Sequence, residues 1–247
     1  MQTRALAFTN KRYAATLPLN EEYYKTDLRI PSNISQDEFL NIIKMSPNLK
    51  NLNILNKNIN KIPNIPTLKK LRVHHQITEI PNIKGLEELE CDRTNISKIP
   101  ASLINLIYLS CSATNITEIP SSLTKLKYLY CSETLISEIP SNLDLLEILR
   151  CDRVPNLTKL PDLFQLKMLT CINTPIREIP NTLINLEILN CNGTDITEIP
   201  NTLINLTNLQ CARTEITEIP DTLINLTSLY CVNTNITEIP KFENFKM

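Results

Sequence analysis

Eight cysteines recur along this sequence at one fixed interval, and that interval constrains the fold more than any other feature. Each cysteine lies 20 residues after the one before it, without exception. They are Cys91, Cys111, Cys131, Cys151, Cys171, Cys191, Cys211 and Cys231. A fixed period of this length is typical of proteins built from stacked structural repeats. The sequence therefore predicts a chain in which one short unit is repeated many times.

The repeated unit can be read from residues 186–205 as L-x-x-L-x-C-x-x-T-x-I-x-x-I-P-x-x-L-x-x. Two earlier units keep the same frame, with Ile54 and Val73 in the position of the cysteine. They bring the total to ten units. We therefore expect the repeats to extend over residues 48–247.

This unit resembles the leucine-rich repeat, whose family pattern is L-x-x-L-x-L-x-x-N-x-L. Cys replaces the third Leu of the family, and Thr stands where the family has Asn, as at Thr94 and Thr134. The 20-residue length and the Ile-Pro pair are similar to bacterial effector repeats. The Cys and Thr variant is similar to repeat proteins of giant amoebal viruses. The resemblance implies a solenoid whose parallel β-sheet lines the concave side, with a small helical cap at its N-terminal end.

The residues themselves indicate how one unit folds. The Leu-x-Cys tripeptide alternates apolar and polar residues, which is typical of a short β-strand, and stacked units would pair these strands into one parallel sheet. The return half contains Pro and has no helical period, so we expect extended chain with short turns on the convex side. Neighbouring coils would share one continuous core. Because the sequence has only 2 Gly, we expect the turns rarely to need a positive φ.

Disulfides, a metal site and a buried reduced column are three roles that the cysteines could have. Neighbouring strands hold equivalent Cβ atoms about 4.8 Å apart with the side chains parallel, whereas a disulfide needs roughly 3.5–4.5 Å. A tetrahedral zinc site needs four ligands around one point, which a straight column does not supply. We therefore expect reduced, buried thiols that act as small apolar groups. Reduced thiols favour an intracellular compartment.

Residues 1–47 lie outside the predicted repeats. The segment Ser35-Gln-Asp-Glu38 is a plausible capping box, so we expect a short helix over 36–45. Since a solenoid must shield its ends, this helix is predicted to be the cap that covers the first coil. We expect residues 1–20 to be partly disordered.

Both ends of the chain leave an alternative open. Leu17-Pro18 followed by acidic residues is a faint sign of an adaptor motif such as an F-box, which often precedes leucine-rich repeats. At the other end, Phe242 and Phe245 are predicted to cover the last coil. A strand edge closed only by these two rings could instead pair with another chain.

Side chains that alternate with the buried Leu and Cys face the concave, solvent side of such a solenoid. The variable positions there are not uniform. Aromatic and apolar residues form a patch across five units: Tyr108, Tyr128, Tyr130, Ile148, Met168, Ile172 and Ile188. Charged residues lie on its N-terminal side: Lys70, Arg72, Glu88, Glu90, Asp92 and Arg93.

Exposed aromatic residues rimmed by polar groups are typical of a protein interface. We therefore predict that a protein or peptide partner binds this concave face. The positions are Tyr108, Tyr128, Tyr130, Ile148, Arg150, Met168, Ile172, Ile188, Arg72 and Glu90. The alternative is that these positions vary neutrally among residue types that favour β-strands and bind no partner.

The charge balance excludes two classes of partner. With 25 Lys and Arg against 26 Asp and Glu, the chain lacks the basic footprint of a nucleic-acid binder or a membrane-surface protein. The first eleven residues contain no apolar stretch suited to a signal peptide, and no segment suits a membrane helix. We therefore expect an intracellular protein, and the resemblance to effectors implies the cytoplasm of a host cell.

Candidates for chemistry are few. His74 and His75 could bind a metal or act as a general base, or could be a solvated pair, and the isolated Gly85 and Gly193 form no phosphate-binding loop. Bacterial effector repeats often precede a ubiquitin-ligase domain with a catalytic Cys, but every Cys here belongs to the repeats. We predict a non-enzymatic binding module without metal or cofactor, monomeric unless its edges pair. The alternative is an adaptor for a ubiquitin or signalling complex that uses residues 1–47 as a second docking element.

Overall fold

The computed structural model describes residues 26–74 and 76–242. These residues form one parallel sheet of eleven strands, whose order in space is their order in sequence. The strands are β1 (Asp27–Ile30), β2 (Asn51–Ile54), β3 (Lys70–Val73), β4 (Glu88–Glu90), β5 (Tyr108–Ser110), β6 (Tyr128–Tyr130), β7 (Ile148–Arg150), β8 (Met168–Thr170), β9 (Ile188–Asn190), β10 (Asn208–Gln210) and β11 (Ser228–Tyr230). Helix α1 (Gln36–Lys44) lies between β1 and β2. The predicted solenoid is confirmed.

The strands pair in one register from β1 to β11, with an apolar residue opposite an apolar residue. Leu109 lies opposite Leu129, and Leu129 lies opposite Leu149. These leucines are fully buried, while the first and third residues of their strands lie on the other face of the sheet. Successive side chains in a strand point to opposite faces, so the register also fixes which residues face solvent.

The core is one cluster that runs from Ile30 in β1 to Phe242 after the last coil. Each coil contributes the same positions, as Leu169, Cys171 and Ile176 show by being fully buried. Burying one aliphatic side chain stabilises a fold by about 1.5–3 kcal/mol. Because each coil completes the burial of its neighbours, stability is shared along the solenoid instead of residing in single coils.

The return segments are extended chain with short turns, as predicted. In a typical coil, the amide of Leu203 donates to the carbonyl of Pro200 at 3.3 Å and the amide of Leu206 donates to Leu203 at 3.0 Å. Exposed asparagines then link adjacent coils, since Nδ2 of Asn205 donates to the carbonyl of Ile184 at 2.9 Å. The same bond joins Asn185 to Phe164 and Asn225 to Ile204. These bonds pair carbonyls that an extended segment leaves open.

Threonines at the turn after each strand bond back to the carbonyl of the cysteine. Oγ1 of Thr134 donates to the carbonyl of Cys131 at 2.6 Å. Six others repeat this bond at 2.6–2.8 Å: Thr94, Thr114, Thr174, Thr194, Thr214 and Thr234. At the position that the family pattern gives to Asn, the threonine hydroxyl therefore bonds to a backbone carbonyl. In the one remaining cysteine coil, Val154 occupies this position and is fully buried.

The expectation that turns rarely need a positive φ is wrong. The second residue after every cysteine has a φ of 53–67°, the left-handed region. These residues are Arg93, Ala113, Glu133, Arg153, Asn173, Gly193, Arg213 and Asn233. Stacking holds this conformation, because the amide of Arg93 donates to the carbonyl of Ser112 at 2.9 Å and that of Glu133 donates to Asp152 at 2.8 Å. Inter-coil hydrogen bonds of this kind accompany the turn at seven of the eight positions, all but Asn233 in the last coil, and only Gly193 is a glycine.

Strand β1 was not predicted. It pairs in parallel with β2, with Leu28 opposite Leu52 and Ile30 opposite Ile54. The segment Asp27–Ile30 has no Leu-x-Cys tripeptide and stands alone before the repeats, so the 20-residue period does not reveal it. The sheet consequently begins within residues 1–47, and the division into a cap of 1–47 and repeats of 48–247 stays a prediction.

Helix α1 agrees with the helix predicted over 36–45. The capping box is formed, with the amide of Glu38 donating to Oγ of Ser35 at 3.3 Å and the amide of Ser35 donating to the Glu38 carboxylate at 2.8 Å. Phe39 is fully buried, and Nε2 of Gln36 donates to the carbonyl of Lys61 at 2.9 Å. The helix is thus the return segment of the first coil. Residues 1–20, expected to be partly disordered, lie outside the described residues.

The last coil is less well covered than the others. Leu229 and Cys231 are half-buried, whereas their equivalents in earlier coils are fully buried. Phe242 packs against the core with 9% of its surface exposed, as predicted. Its predicted companion, Phe245, lies outside the described residues.

Candidate functional site

The concave face is the side of the sheet that carries the first and third residues of each strand. Nine of the ten predicted positions are first or third residues of a strand, and Ile172 lies two residues after the end of β8. The half-buried ones are Tyr108, Tyr128, Tyr130, Ile148, Met168, Ile172, Ile188 and Glu90, and the exposed ones are Arg72 and Arg150. We call the six side chains Tyr108, Tyr128, Tyr130, Ile148, Arg150 and Met168 the concave patch.

In the concave patch, Tyr108 contacts two other tyrosines, Tyr128 and Tyr130. The ring centroids of Tyr108 and Tyr130 are 5.4 Å apart with planes inclined at 40°, and those of Tyr108 and Tyr128 are 6.4 Å apart at 47°. Both arrangements are tilted, as aromatic pairs prefer. Burial, with a further contribution from the Glu90 carboxylate, raises the pKa of the Tyr108 hydroxyl. The Tyr108 hydroxyl is therefore neutral at physiological pH, and the cluster presents a mixed apolar and hydroxyl surface.

Arg150 extends this cluster. Its guanidinium carbon lies 5.5 Å from the centre of the Tyr130 ring, within the range of a cation–π contact. Its Nη2 also lies 3.9 Å from Sδ of Met168. Arg150 sits opposite Tyr130 in the paired register, so β6 and β7 place the two side chains together. The arginine is consequently held from two sides while remaining exposed.

An apolar row runs beside the tyrosines. Tyr128, Ile148, Met168 and Ile188 occupy equivalent positions on four consecutive strands. Neighbouring strands lie about 4.8 Å apart, which lets such side chains touch. Together with the tyrosine cluster, the row makes one continuous half-buried surface on a rigid sheet.

The charged residues on the N-terminal side are paired with one another. Nζ of Lys70 lies 2.7 Å from the carboxylate of Glu88, and Nε of Arg72 lies 3.0 Å from that of Glu90. The hydrogen bond and charge of Glu88 raise the pKa of Lys70. Exposed pairs of this kind add about 0–1 kcal/mol to stability. This side therefore presents neutralised pairs to solvent and not one strong charge.

Two predicted charges have structural roles that the sequence did not indicate. The carboxylate of Asp92 accepts from Oγ of Ser110 at 2.8 Å and from the amide of Ser112 at 2.6 Å, so it joins two coils. Arg93 occupies a left-handed turn position. Asp or Asn recurs one residue after a cysteine, as at Asn192, whose side-chain oxygen also accepts from an amide of the next coil. This recurrence is the sequence signal that could have revealed the inter-coil bond.

The cysteines form the predicted column of free thiols. Cys91, Cys111, Cys131, Cys151, Cys171, Cys191 and Cys211 are buried. Burial raises the pKa of the Cys151 thiol well above its ordinary value, and that of Cys211 to about 12. Sγ of Cys151 points at the carbonyl of Thr170, 3.4 Å away. Thiols that stay protonated inside a core are poor nucleophiles, so these cysteines are structural.

The remaining sequence candidates do not converge on the concave patch. His74 is half-buried just after β3, and His75 lies outside the described residues.

On the convex side, sequence reasoning missed an exposed apolar ridge at the variable position after a buried Leu. It comprises Phe164, Ile184, Ile204 and Ile224. The recurrence of apolar residues at a solvent-facing position of the repeat is the sequence signal that could have predicted this ridge.

No helix in the described part of the chain is long and apolar enough to span a lipid bilayer.

Comparisons with known proteins agree with this geometry. A family model described as a leucine-rich repeat region matches residues 142–243. No curated protein sequence matches the chain. Among solved structures, the chain is similar to the functional domain of InlJ from Listeria monocytogenes, which includes a cysteine ladder, with 26% identity and a TM-score of 0.56. That match covers 74% of this chain and 49% of the InlJ chain.

Two further likenesses concern the fold alone. YopM from Yersinia enterocolitica is 24% identical with a TM-score of 0.68, over 81% of this chain and 46% of its own. The plant peptide hormone receptor RGFR1, solved in complex with RGF2, is 20% identical with a TM-score of 0.62, over 84% of this chain and 42% of its own. The chain thus spans about half the length of the solved chains that it resembles.

Proposed function

We propose that this chain, a solenoid of leucine-rich repeats, is a non-enzymatic module that binds a protein or peptide on its concave face. The observation that carries the proposal is the concave patch, in which Tyr108 contacts Tyr128 and Tyr130, Tyr130 contacts Arg150, and all four side chains stay accessible. The buried side chains of the coils fill the core, whereas the tyrosines and the arginine of the concave patch lie outside it. RGFR1, a receptor of similar fold, was solved with a peptide hormone bound.

Physical chemistry favours binding at these residues. Tyrosine and arginine are enriched among the residues that contribute most to protein interfaces. Tyrosine offers a large contact area while losing little side-chain entropy, and mutual stacking has already restricted these rings. The sheet beneath them is hydrogen-bonded on both sides of every patch strand. A partner would therefore meet a surface that is ordered before it binds.

The decisive experiment replaces Tyr128 and Tyr130 with Ser and measures capture of partners by quantitative mass spectrometry. We expect loss of the partners that wild-type protein captures, since the main anchors are gone, with an unchanged circular dichroism spectrum. Tyr230 provides a matched control, because it is an exposed tyrosine on the same face, in β11 and outside the concave patch. Capture should survive Tyr230→Ser. Unchanged capture by the Tyr128 and Tyr130 variant would contradict the proposal.

The second candidate is an adaptor that also docks through its N-terminal region. The feature that favours it is the presence of residues 1–25 ahead of β1. Deleting residues 1–25 keeps β1 and α1, whereas a deletion to residue 30 would remove β1 from the sheet. A pure concave-face binder keeps all partners after the deletion of 1–25, and an adaptor loses one set.

Residues Arg72 and Glu90, together with Ile172 and Ile188, complete the proposed contact surface around the concave patch. We propose that the protein acts as a monomer in a reducing, intracellular setting, including a host cytoplasm, because its buried thiol column persists best where disulfide exchange is suppressed. Gel filtration with light scattering tests the monomer, and a concentration-dependent rise in mass would indicate pairing through the strand edge at β11.

A further inference from the structure

We propose that Arg150 binds a carboxylate of the partner, and that the partner carries an aromatic or aliphatic side chain next to that carboxylate. The inference rests on the proposed function, because it names the chemistry of the partner that the concave face binds. Its occupant is an acidic peptide segment with an apolar neighbour.

Arg150 and Arg29 in β1 are the two basic residues of the sheet that have no acidic partner among the described residues. Strands β2–β11 carry three basic residues, and Lys70 and Arg72 are each paired with a glutamate on the next strand. Among the described residues, no carboxylate lies within ion-pair distance of the Arg150 guanidinium. The concave face thus carries, beside the tyrosines, an exposed positive charge that has no counter-ion among the described residues.

The acids nearest to Arg150 in sequence are engaged elsewhere. The Asp152 carboxylate accepts from the amide of Ile172 at 2.9 Å and from Oγ1 of Thr170 at 3.2 Å. The Glu147 carboxylate accepts from Nζ of Lys127 and from Nζ of Lys167, each at 3.1 Å. These two bonds lower the pKa of Glu147, which keeps it ionised and paired. A rotamer change of Arg150 toward either acid would compete with bonds that already exist.

The guanidinium is positioned for a planar anion. The Tyr130 ring supports it at 5.5 Å and the Met168 sulfur contacts Nη2 at 3.9 Å, both weak interactions that use none of its strong hydrogen bonds. Arginine presents its N–H donors in a rigid fork that fits a carboxylate bidentately, and charge-assisted bonds of this kind are about twice as strong as neutral ones. Stacking has restricted the side chain beforehand, so less entropy is lost on binding.

The surroundings of Arg150 define the rest of the ligand. Tyr128, Ile148 and Met168 form the apolar row beside it on consecutive strands. A ligand that offered only charge would leave this row in contact with water. A ligand with an apolar group next to its carboxylate would cover the row and shield the ion pair, which strengthens the pair's attraction.

The test uses nuclear magnetic resonance of the 15N-labelled full chain with N-acetylphenylalanine as the probe. We expect the Nε–H signal of Arg150, assigned by its absence from Arg150→Gln, and the backbone amide of Thr170 to shift saturably. The neutral N-acetylphenylalanine amide should bind at least about tenfold more weakly, because it lacks the charge. Binding of the acid should also weaken as ionic strength rises.

Matched variants separate the site from general anion binding. Arg150→Gln should lose at least about tenfold in affinity by the Thr170 signal, whereas Arg153→Gln, which removes an exposed arginine already paired with Glu133, should not. Tyr130→Phe keeps the supporting ring and should bind as wild type, and Tyr130→Leu should bind more weakly. Equal binding of the acid and its amide, or wild-type affinity in Arg150→Gln, would overturn the inference.

The two proposals fail in distinguishable ways. If partner capture depends on Tyr128 and Tyr130 but is unchanged in Arg150→Gln, the carboxylate site is wrong and the concave-face function stands. If the probe saturates at Arg150 while the tyrosine variant captures partners normally, the site stands and the proposed function is wrong.

Discussion

At the scale of single residues, the turn after each cysteine shows how the repeat overrides local preference. The left-handed conformation costs a residue with a Cβ roughly 1–2 kcal/mol, yet Arg93, Glu133 and Arg153 all adopt it. The amide of the left-handed residue is tied to the next coil in each case, for example from Arg153 to Ile172 at 2.7 Å. A residue can therefore keep an unfavourable φ when the same bond recurs along the whole solenoid.

Gly193 and Ala113 give a matched pair at this position, at φ 67° and 55°. We expect Ala113→Gly to raise the free energy of unfolding by roughly 0.5–1 kcal/mol, because the relief of strain exceeds the entropy that glycine loses. Gly193→Ala should lower it by about 1 kcal/mol, since the new Cβ would also meet the side-chain oxygen of Asn173. Urea denaturation followed by circular dichroism measures both. Equal signs for the two substitutions would contradict the strain argument.

At the scale of the element, a coil consists of a strand, a turn in which a threonine hydroxyl bonds to the backbone, and an extended return segment. The threonine hydroxyl pairs with a cysteine carbonyl that is buried where the strand turns away. The coil with Val154 shows that a coil without this bond is tolerated within the stack. The bond therefore adds to the stability of a coil without being required for its shape.

Thr134→Val reproduces the Val154 coil at a second place. We expect the free energy of unfolding to fall by about 1–3 kcal/mol, because the carbonyl of Cys131 loses its hydroxyl donor inside the protein. Thr134→Ser keeps the hydroxyl and should lose less. The midpoints of urea unfolding compare the three proteins, and a valine variant as stable as the serine variant would show that the hydrogen bond contributes nothing.

At the scale of the whole molecule, the buried thiols couple folding to pH. The thiols of Cys111, Cys131, Cys151 and Cys171 have a raised pKa in the folded state because they are buried. An unfolded thiol ionises near about 8.5. Above that pH the unfolded chain releases protons that the folded chain retains, so the free energy of unfolding falls as pH rises. Below it, the contribution of the thiols is fully present.

Cys131→Val together with Cys151→Val tests this coupling. Between the unfolded-state and the folded-state pKa, each buried thiol lowers the free energy of unfolding by up to about 1.4 kcal/mol per pH unit. At pH about 9.5 the double variant, which lacks two of these thiols, should therefore gain up to about 3 kcal/mol in free energy of unfolding relative to wild type. At pH 7 the two proteins should differ much less, which provides the control. Urea midpoints at both values measure the effect. A difference that is the same at both would show that the thiols do not titrate on unfolding.

Most of the architecture could be predicted because it recurs. The 20-residue period predicts that Leu109, Leu129 and Leu149 lie in register. Because many units support the same frame, one irregular unit does not change the predicted register. A feature that occurs once was found only where it has a local signal, as α1 has in its capping box, and β1 has no such signal and was missed. The stacking of Arg150 on Tyr130 depends on side-chain rotamers, which a sequence pattern does not specify. The positions of the concave patch were readable, whereas the pairing of their charges was not.

The uniform register between strands also bears on how the gene can change. Since each coil meets its neighbours through the same pairs, as Leu129 meets Leu109 and Leu149, any coil can be joined to any other. An in-frame duplication or loss of one unit would therefore lengthen or shorten the molecule without creating a new core. Recombination between units could move the tyrosines closer to or farther from Arg72 and Glu90 in steps of one strand spacing. Lineages carrying this gene could then change the spacing of residues on the concave face by a change in the number of repeats, before any point mutation.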